Sequence, residues 1–135
     1  MKVFLDASVL IEACLSQSPK FALADGLVNQ PGVVTSAHAL AETYATLSGE
    51  PRLRITPGDA ARMVEDLART VSVRALAVTD YQQLISAAPT KGVRGGSIYD
   101  AVHAQTARLC GCQEIRTLNV THFKHVAPDL SVVGL

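Results

Sequence analysis

Short apolar runs alternate with helix-patterned segments from one end of this chain to the other, and that alternation constrains the fold more than any other feature. The first run, Lys2 to Asp6, is apolar on both faces and closes on an acid, which is the signature of a buried strand in a parallel sheet. Val33–Ser36, Val71–Leu76, Glu114–Leu118 and Leu130–Val133 read as further strands. Between them the helical period predicts a helix from Val9 to Leu15 with Ser8 as its cap, broken by Pro19, and a second from Phe21 to Val28. Further helices follow over His38–Leu47, from Pro57 through Leu67, from a Thr79 or Asp80 cap through Ala88, and over Ser97–Leu109. Arg52–Thr56, Pro89–Gly96 and Asn119–Pro128 read as connectors. The expectation is a three-layer α/β/α fold with a central parallel sheet.

The 135 residues suit a single domain spanning 1–135. With 48% apolar and 18% charged residues the chain is neither disordered nor solvating. Twelve basic residues balance twelve acidic ones, which excludes tail-driven nucleic-acid binding but not a local basic patch. Tryptophan is absent and aromatics are 4%, which argues against an aromatic stacking platform. The odd set Cys14, Cys110 and Cys112 reads as small hydrophobes in a reducing compartment. No apolar run is long enough for a membrane span and no signal peptide is visible, so the expected location is the cytoplasm, with no membrane contact.

In parallel α/β sheets, sites form beyond the carboxyl ends of the strands. Asp6 ends the first strand, Asn119 follows the fourth, Glu42 lies early in the helix after the second, and Asp100 is in the first turn of the long helix. These four positions, far apart in sequence, are expected to meet on one rim. Each acid has a plainer reading: Asp6 as a helix cap, Asp100 as a partner of the helix dipole, Glu42 as a surface or ion-paired residue. Together, three carboxylates repel one another, and a hard divalent cation resolves the conflict. Oxygen-only ligands favour Mg²⁺ or Mn²⁺, and metal-assisted hydrolysis of a phosphodiester is the reaction class that follows.

Four segments in order carry a family resemblance: Val3-Phe4-Leu5-Asp6-Ala7-Ser8-Val9-Leu10, Ala41-Glu42, Ser97-Ile98-Tyr99-Asp100-Ala101-Val102-His103-Ala104, and Ile115 to Phe123. In these the chain resembles PIN-domain proteins, of the toxin ribonuclease type found in VapBC toxin–antitoxin pairs. The resemblance implies a divalent-metal (Mg²⁺ or Mn²⁺) endoribonuclease whose acids map onto Asp6, Glu42 and Asp100. It also implies a VapB-type antitoxin partner, an RNA substrate and a homodimer. Asn119 departs from the aspartate that many relatives carry there, offers a weaker neutral ligand, and puts a tightly held second metal in doubt. Ser8 and Thr117 match polar positions expected to hold an acid or a water at the site. The alternative is a catalytically weak PIN-like binding or assembly module, the reading that Asn119 favours.

Arg52, Arg54, Lys91 and Arg94 flank the acidic helices and are candidates for RNA phosphate contacts, with ordinary solubility as the competing reading. His122 and His125 lack a nearby cysteine pair and do not form a zinc site. His103 reads as a packing or hydrogen-bonding residue, and Tyr99 as core or helix packing. Gly92, Gly95 and Gly96 do not make a phosphate-binding loop. A response-regulator-like domain fails because such domains gather their acids earlier in the chain.

Overall fold

The structure, a computed structural model, describes residues 2–135. Its elements in chain order are β1 (Val3–Leu5), α1 (Ala7–Glu12), α2 (Phe21–Val28), β2 (Val33–Ser36), α3 (Ala37–Gly49), α4 (Pro57–Thr70), β3 (Ser72–Arg74), α5 (Val78–Ala87), α6 (Ser97–Leu109), β4 (Glu114–Arg116), α7 (Val120–Val126) and β5 (Ser131–Val133). The strands form one five-stranded sheet in the order β3-β2-β1-β4-β5, and every pairing is parallel. The expected α/β/α architecture is the one observed.

Alternation along the central strand builds the layers. Val3 and Leu5 face one side and pack with Val9, Leu10, Leu27 and Val33, so α1 and α2 cover that face. Phe4 points the other way and packs with Ala104, Ala107, Ile115 and Phe123 beneath α6 and α7. Period-two geometry forces this division, because successive side chains of a strand leave opposite faces. Phe4 is fully buried, and its truncation to Ala is worth about 3–5 kcal/mol.

The chain lays β2 and β3 to one side of β1, then crosses over to place β4 and β5 on the other. The switch point therefore lies between β1 and β4, where adjacent crossovers leave a crevice beyond the strand ends. Asp6 follows β1 and Thr117 follows β4, with Asp6 N–H donating to the Arg116 carbonyl at 3.0 Å. Among the described residues no helix is long and apolar enough to cross a membrane.

Several local expectations need correction. Residues 119–128 are not a loop: Val120–Val126 is helical, because Val120, Phe123 and Val126 recur at helical spacing and Phe123 drops fully into the core. The polar Thr121, His122, Lys124 and His125 between them hide that stripe. Ser8 is not the cap of α1. Asp6 holds the N-cap position, its carboxylate caps no N–H, and the Ser8 hydroxyl turns back onto it. α5 starts at Val78, after Ala77, and Asp80 acts from inside the helix by accepting the Ala77 N–H at 2.9 Å. α1 ends at Glu12 rather than Leu15, and the Arg52–Thr56 connector shares a single 3₁₀ turn, Pro51–Leu53. The third and fourth strands are trimmed to Ser72–Arg74 and Glu114–Arg116.

Candidate active site

Asp6 is 4% exposed and sits where β1 hands over to α1. A buried carboxylate needs hydrogen-bond donors. Its Oδ2 receives the Ser8 and Thr117 hydroxyls, each at 2.8 Å. Those hydroxyls are in turn fixed by the chain leaving β4: Leu118 N–H donates to Ser8 Oγ at 3.0 Å and Asn119 N–H to Thr117 Oγ1 at 2.9 Å. The clamp occupies one oxygen of Asp6; the other, Oδ1, lies 3.9 Å from His103 Nε2.

His103 is the hub of a second network. Its ring is completely buried on α6, stacked on Phe123 and tilted against Phe4. Nδ1 lies 2.7 Å from Ser36 Oγ and Nε2 lies 2.5 Å from Glu42 Oε1. Ser36 also caps α3 by accepting the Ala39 N–H at 3.0 Å. The cap, the imidazole and the carboxylate thus tie β2, α3 and α6 together at one point. His38 Nε2 approaches the same Glu42 oxygen at 3.4 Å without hydrogen-bond alignment, and its ring stacks on Tyr99 with centroids 4.7 Å apart. Burial pushes the Glu42 carboxyl up, but the His103 hydrogen bond and the positive potential of His103 and His38 outweigh it, so the group sits below its ordinary range.

Asp100, in the first turn of α6, has the opposite balance. Burial and the neighbouring charge of Asp6 raise its carboxyl, aided by Glu42 and only partly offset by His103 and His122. Among the described residues no Lys or Arg pairs with Asp6, Glu42 or Asp100. Only histidines, His103 foremost, stand against the charge of the acids.

Among the described residues no group of three or more His, Cys, Asp or Glu side chains is set to hold a metal as it stands. The donor chemistry nevertheless suits a hard cation, because Mg²⁺ is usually held by one or two carboxylates and retains several waters. Asp6 and Asp100 are the carboxylates that would hold it, whereas Glu42 Oε1 is committed to His103. Asn119 is exposed at the start of α7 and reaches the site through its backbone N–H. Lys91 and Arg94 are exposed in the loop before α6, while Arg52 and Arg54 lie past the far end of α3, about 10 Å of helix rise beyond Glu42. His103 behaves as the hydrogen-bonding residue expected. Tyr99 is not core: it packs between helices through His38 while 49% exposed. Sequence reasoning missed Ser36 and His38, whose signals were a serine at a strand-to-helix junction and a histidine four residues before Glu42. The cysteines are free, and burial pushes the Cys14 and Cys112 thiols up to about 11, which leaves them poor nucleophiles.

Fold and rim together define an α/β/α domain with an acidic crevice at the switch point of a parallel sheet. Residues 3–127 match the PIN domain family, and the chain belongs to that family. No curated protein sequence matches it. Its structure is similar to that of VapC20 from Mycobacterium tuberculosis, described as a sarcin–ricin loop cleaving toxin, with 22% identity over 84% of this chain and 87% of that one and a TM-score of 0.66. It is also similar to VapBC2 from Rickettsia felis bound to a promoter DNA fragment (16% identity, 100% and 99% of the two chains, TM-score 0.69). A third similar structure is VapBC-1 from nontypeable Haemophilus influenzae (20% identity, 99% and 98%, TM-score 0.68).

Proposed function

We propose that this PIN-domain protein is a Mg²⁺- or Mn²⁺-dependent endoribonuclease and the toxin of a type II toxin–antitoxin pair. The observation that carries the reading is the convergence of Asp6, Asp100 and Glu42 from β1, α6 and α3 with no lysine or arginine to neutralise them. Such an arrangement is costly unless a cation completes it. When bound, the metal supplies charge neutralisation at the phosphoryl group and acidity for a hydrolytic water.

The chain's own residues set the geometry. Thr117 and Ser8 hold Asp6 by Oδ2, so that Oδ1 is the oxygen offered to a cation. Asp100 supplies the second carboxylate. His103 holds Glu42 by Oε1, so that Glu42 acts through its other oxygen, on a water rather than by gripping a cation with both. Asn119, which meets the site through its backbone N–H, is the position from which a neutral carbonyl oxygen would be added, and Lys91 and Arg94 approach substrate phosphates from the α6 side.

The similarity to the Rickettsia and Haemophilus VapBC structures supports a VapB-type antitoxin partner. Helices α3 and α4 are the candidates for its docking: Leu47, Ala60 and Leu67 of their stripes are spent in the core, which leaves Tyr44, 39% exposed, to meet a partner. A homodimer and a cytoplasmic location complete the proposal, the latter in keeping with the free cysteines. The alternative, a catalytically weak binding module, is favoured by the neutral Asn119.

Two measurements on the purified chain decide between them. Millimolar Mn²⁺ is expected to raise the melting temperature, because it binds only the folded state, and to switch on cleavage of single-stranded RNA. Asp6→Asn and Asp100→Asn should reduce both effects. A melting curve indifferent to Mn²⁺, with RNA left intact, rejects the enzyme.

A further inference from the structure

Beside Asp100, helices α6 and α7 enclose a cavity of about 560 Å³ walled by Gly96, Ser97, Asp100, Thr121, His122 and His125. His125 is also a wall of a second cavity, about 630 Å³, that passes Gln105, Arg108 and Lys91 between α5, α6 and α7. The shared residue joins them into one trough leading away from the acids. Asp100 and Gln105, on its two halves, are about 7.5 Å of helix rise apart. Each half has the size of a small-ligand site, roughly 300–1,000 Å³. The other large cavity, about 580 Å³, is walled by Lys2, Gly32 and Ser72 and so opens at the amino-terminal edge of the sheet, away from the acids.

Charge changes sign along the trough. The near half has Asp100 as its only formal charge, with two exposed imidazoles as its walls. In the far half the only acid, Asp129, is consumed by Arg108, whose Nε and Nη2 each donate to it at 2.8 Å. Among the described residues Lys91 is exposed and in no ion pair, and it is close enough to help Arg108 hold the Asp129 carboxyl below its ordinary range. With Asp100 engaged by the cation the near half has no cationic side chain of its own for a further phosphate, and Lys91 in the far half supplies one, whereas a base, flat and uncharged, suits the imidazole walls.

Resting on the ribonuclease reading above, we propose that this trough seats the nucleotide flanking the cleaved phosphate, with its base against His122 and His125 and its next backbone phosphate at Lys91. Stacking of this kind tolerates any base but requires an unpaired one, so the trough selects single-stranded or looped RNA over duplex.

The test uses the full chain carrying Asp6→Asn, and a fluorescein-labelled single-stranded RNA decamer followed by anisotropy. His125→Ala is expected to weaken binding about tenfold, within the range for loss of one stacked base. His125→Phe, which keeps a flat ring, should recover most of it. Lys91→Ala should weaken binding about threefold and lower the salt slope by about one. Arg69→Ala, on α4, should change nothing. With Asp6 restored, His125→Ala should raise KM with little change in kcat, and the Mn²⁺ midpoint of thermal stabilisation should not move. Parent-like RNA affinity in both His125→Ala and Lys91→Ala overturns the subsite while leaving the ribonuclease reading standing. Loss of a co-expressed protein partner with RNA affinity intact also overturns it and assigns the trough to that protein. A wild-type chain that neither binds nor cuts RNA removes the enzyme and the subsite together.

Discussion

Thr117→Val is the sharpest probe of how the site is held. The substitution keeps the shape of a fully buried side chain and deletes only its hydroxyl. Two hydrogen bonds go with it: the donation to Asp6 Oδ2 at 2.8 Å and the acceptance from Asn119 N–H at 2.9 Å. A hydrogen bond to a charged group contributes about 1.5–3 kcal/mol. The Asn119 N–H belongs to an exposed residue, so water replaces its partner at a cost of no more than about 0.5 kcal/mol. The sum is about 2–3 kcal/mol. For a chain of 135 residues this corresponds to a fall in Tm of about 6–15 °C. Urea unfolding in EDTA at pH 7, followed by circular dichroism, measures it. Ser8→Ala, whose hydroxyl is only half-buried, should cost less, about 1 kcal/mol. Because the Thr117 hydroxyl acts on the Asp6 carboxyl group, the same substitution in an Asp6→Asn background should cost at least about 1 kcal/mol less. If Thr117→Val costs under about 0.5 kcal/mol, or costs the same in both backgrounds, the hydroxyl clamp is not what stabilises the buried carboxylate.

Three other outcomes follow from the charges at the rim. Asp100 binds its proton more tightly folded than unfolded, so its ionisation costs stability as pH rises above its ordinary 3.8; Asp100→Asn should therefore melt higher than wild type in chelator at pH 7 and respond less to Mn²⁺. Glu42 is depressed instead, so its contribution is present above its ordinary 4.5 and is lost as pH falls through the lower folded value; Glu42→Gln should lose less stability on acidification, read from acid-unfolding curves of the two proteins. Asn119→Asp adds a charge beside like charges, and should be less stable than wild type in chelator yet need less Mn²⁺ to saturate; equal behaviour in a paired melt and titration would show that position 119 does not face the acids.

The parallel α/β/α layering was legible in the chain because strands apolar on both faces and helices with one apolar stripe leave few ways to bury them. The positions of Asp6 and Asp100 were legible too, at a strand end and a helix start. The helix at Val120–Val126 was not, because four polar residues interrupt its stripe and only the docking of Phe123 into the core under α6 makes it form. Nor did the sequence distinguish the three acids from one another. Glu42 and Asp100 are both carboxylates near a helix start, yet one is drawn down by His103 and the other pushed up by Asp6. That difference depends on separations of a few ångströms between residues tens of positions apart, which only the packing of α3 against α6 and the crossing at β1 and β4 creates. The same holds for the trough beside Asp100: the chain marks Lys91 as a candidate phosphate contact, but its place relative to His125 exists only once α5, α6 and α7 close around the space between them. Local periodicity determines which elements form and which face they bury, because those are properties of neighbouring residues. The electrostatics of the site are decided by tertiary structure, because charge interactions depend on distance through space and not along the chain.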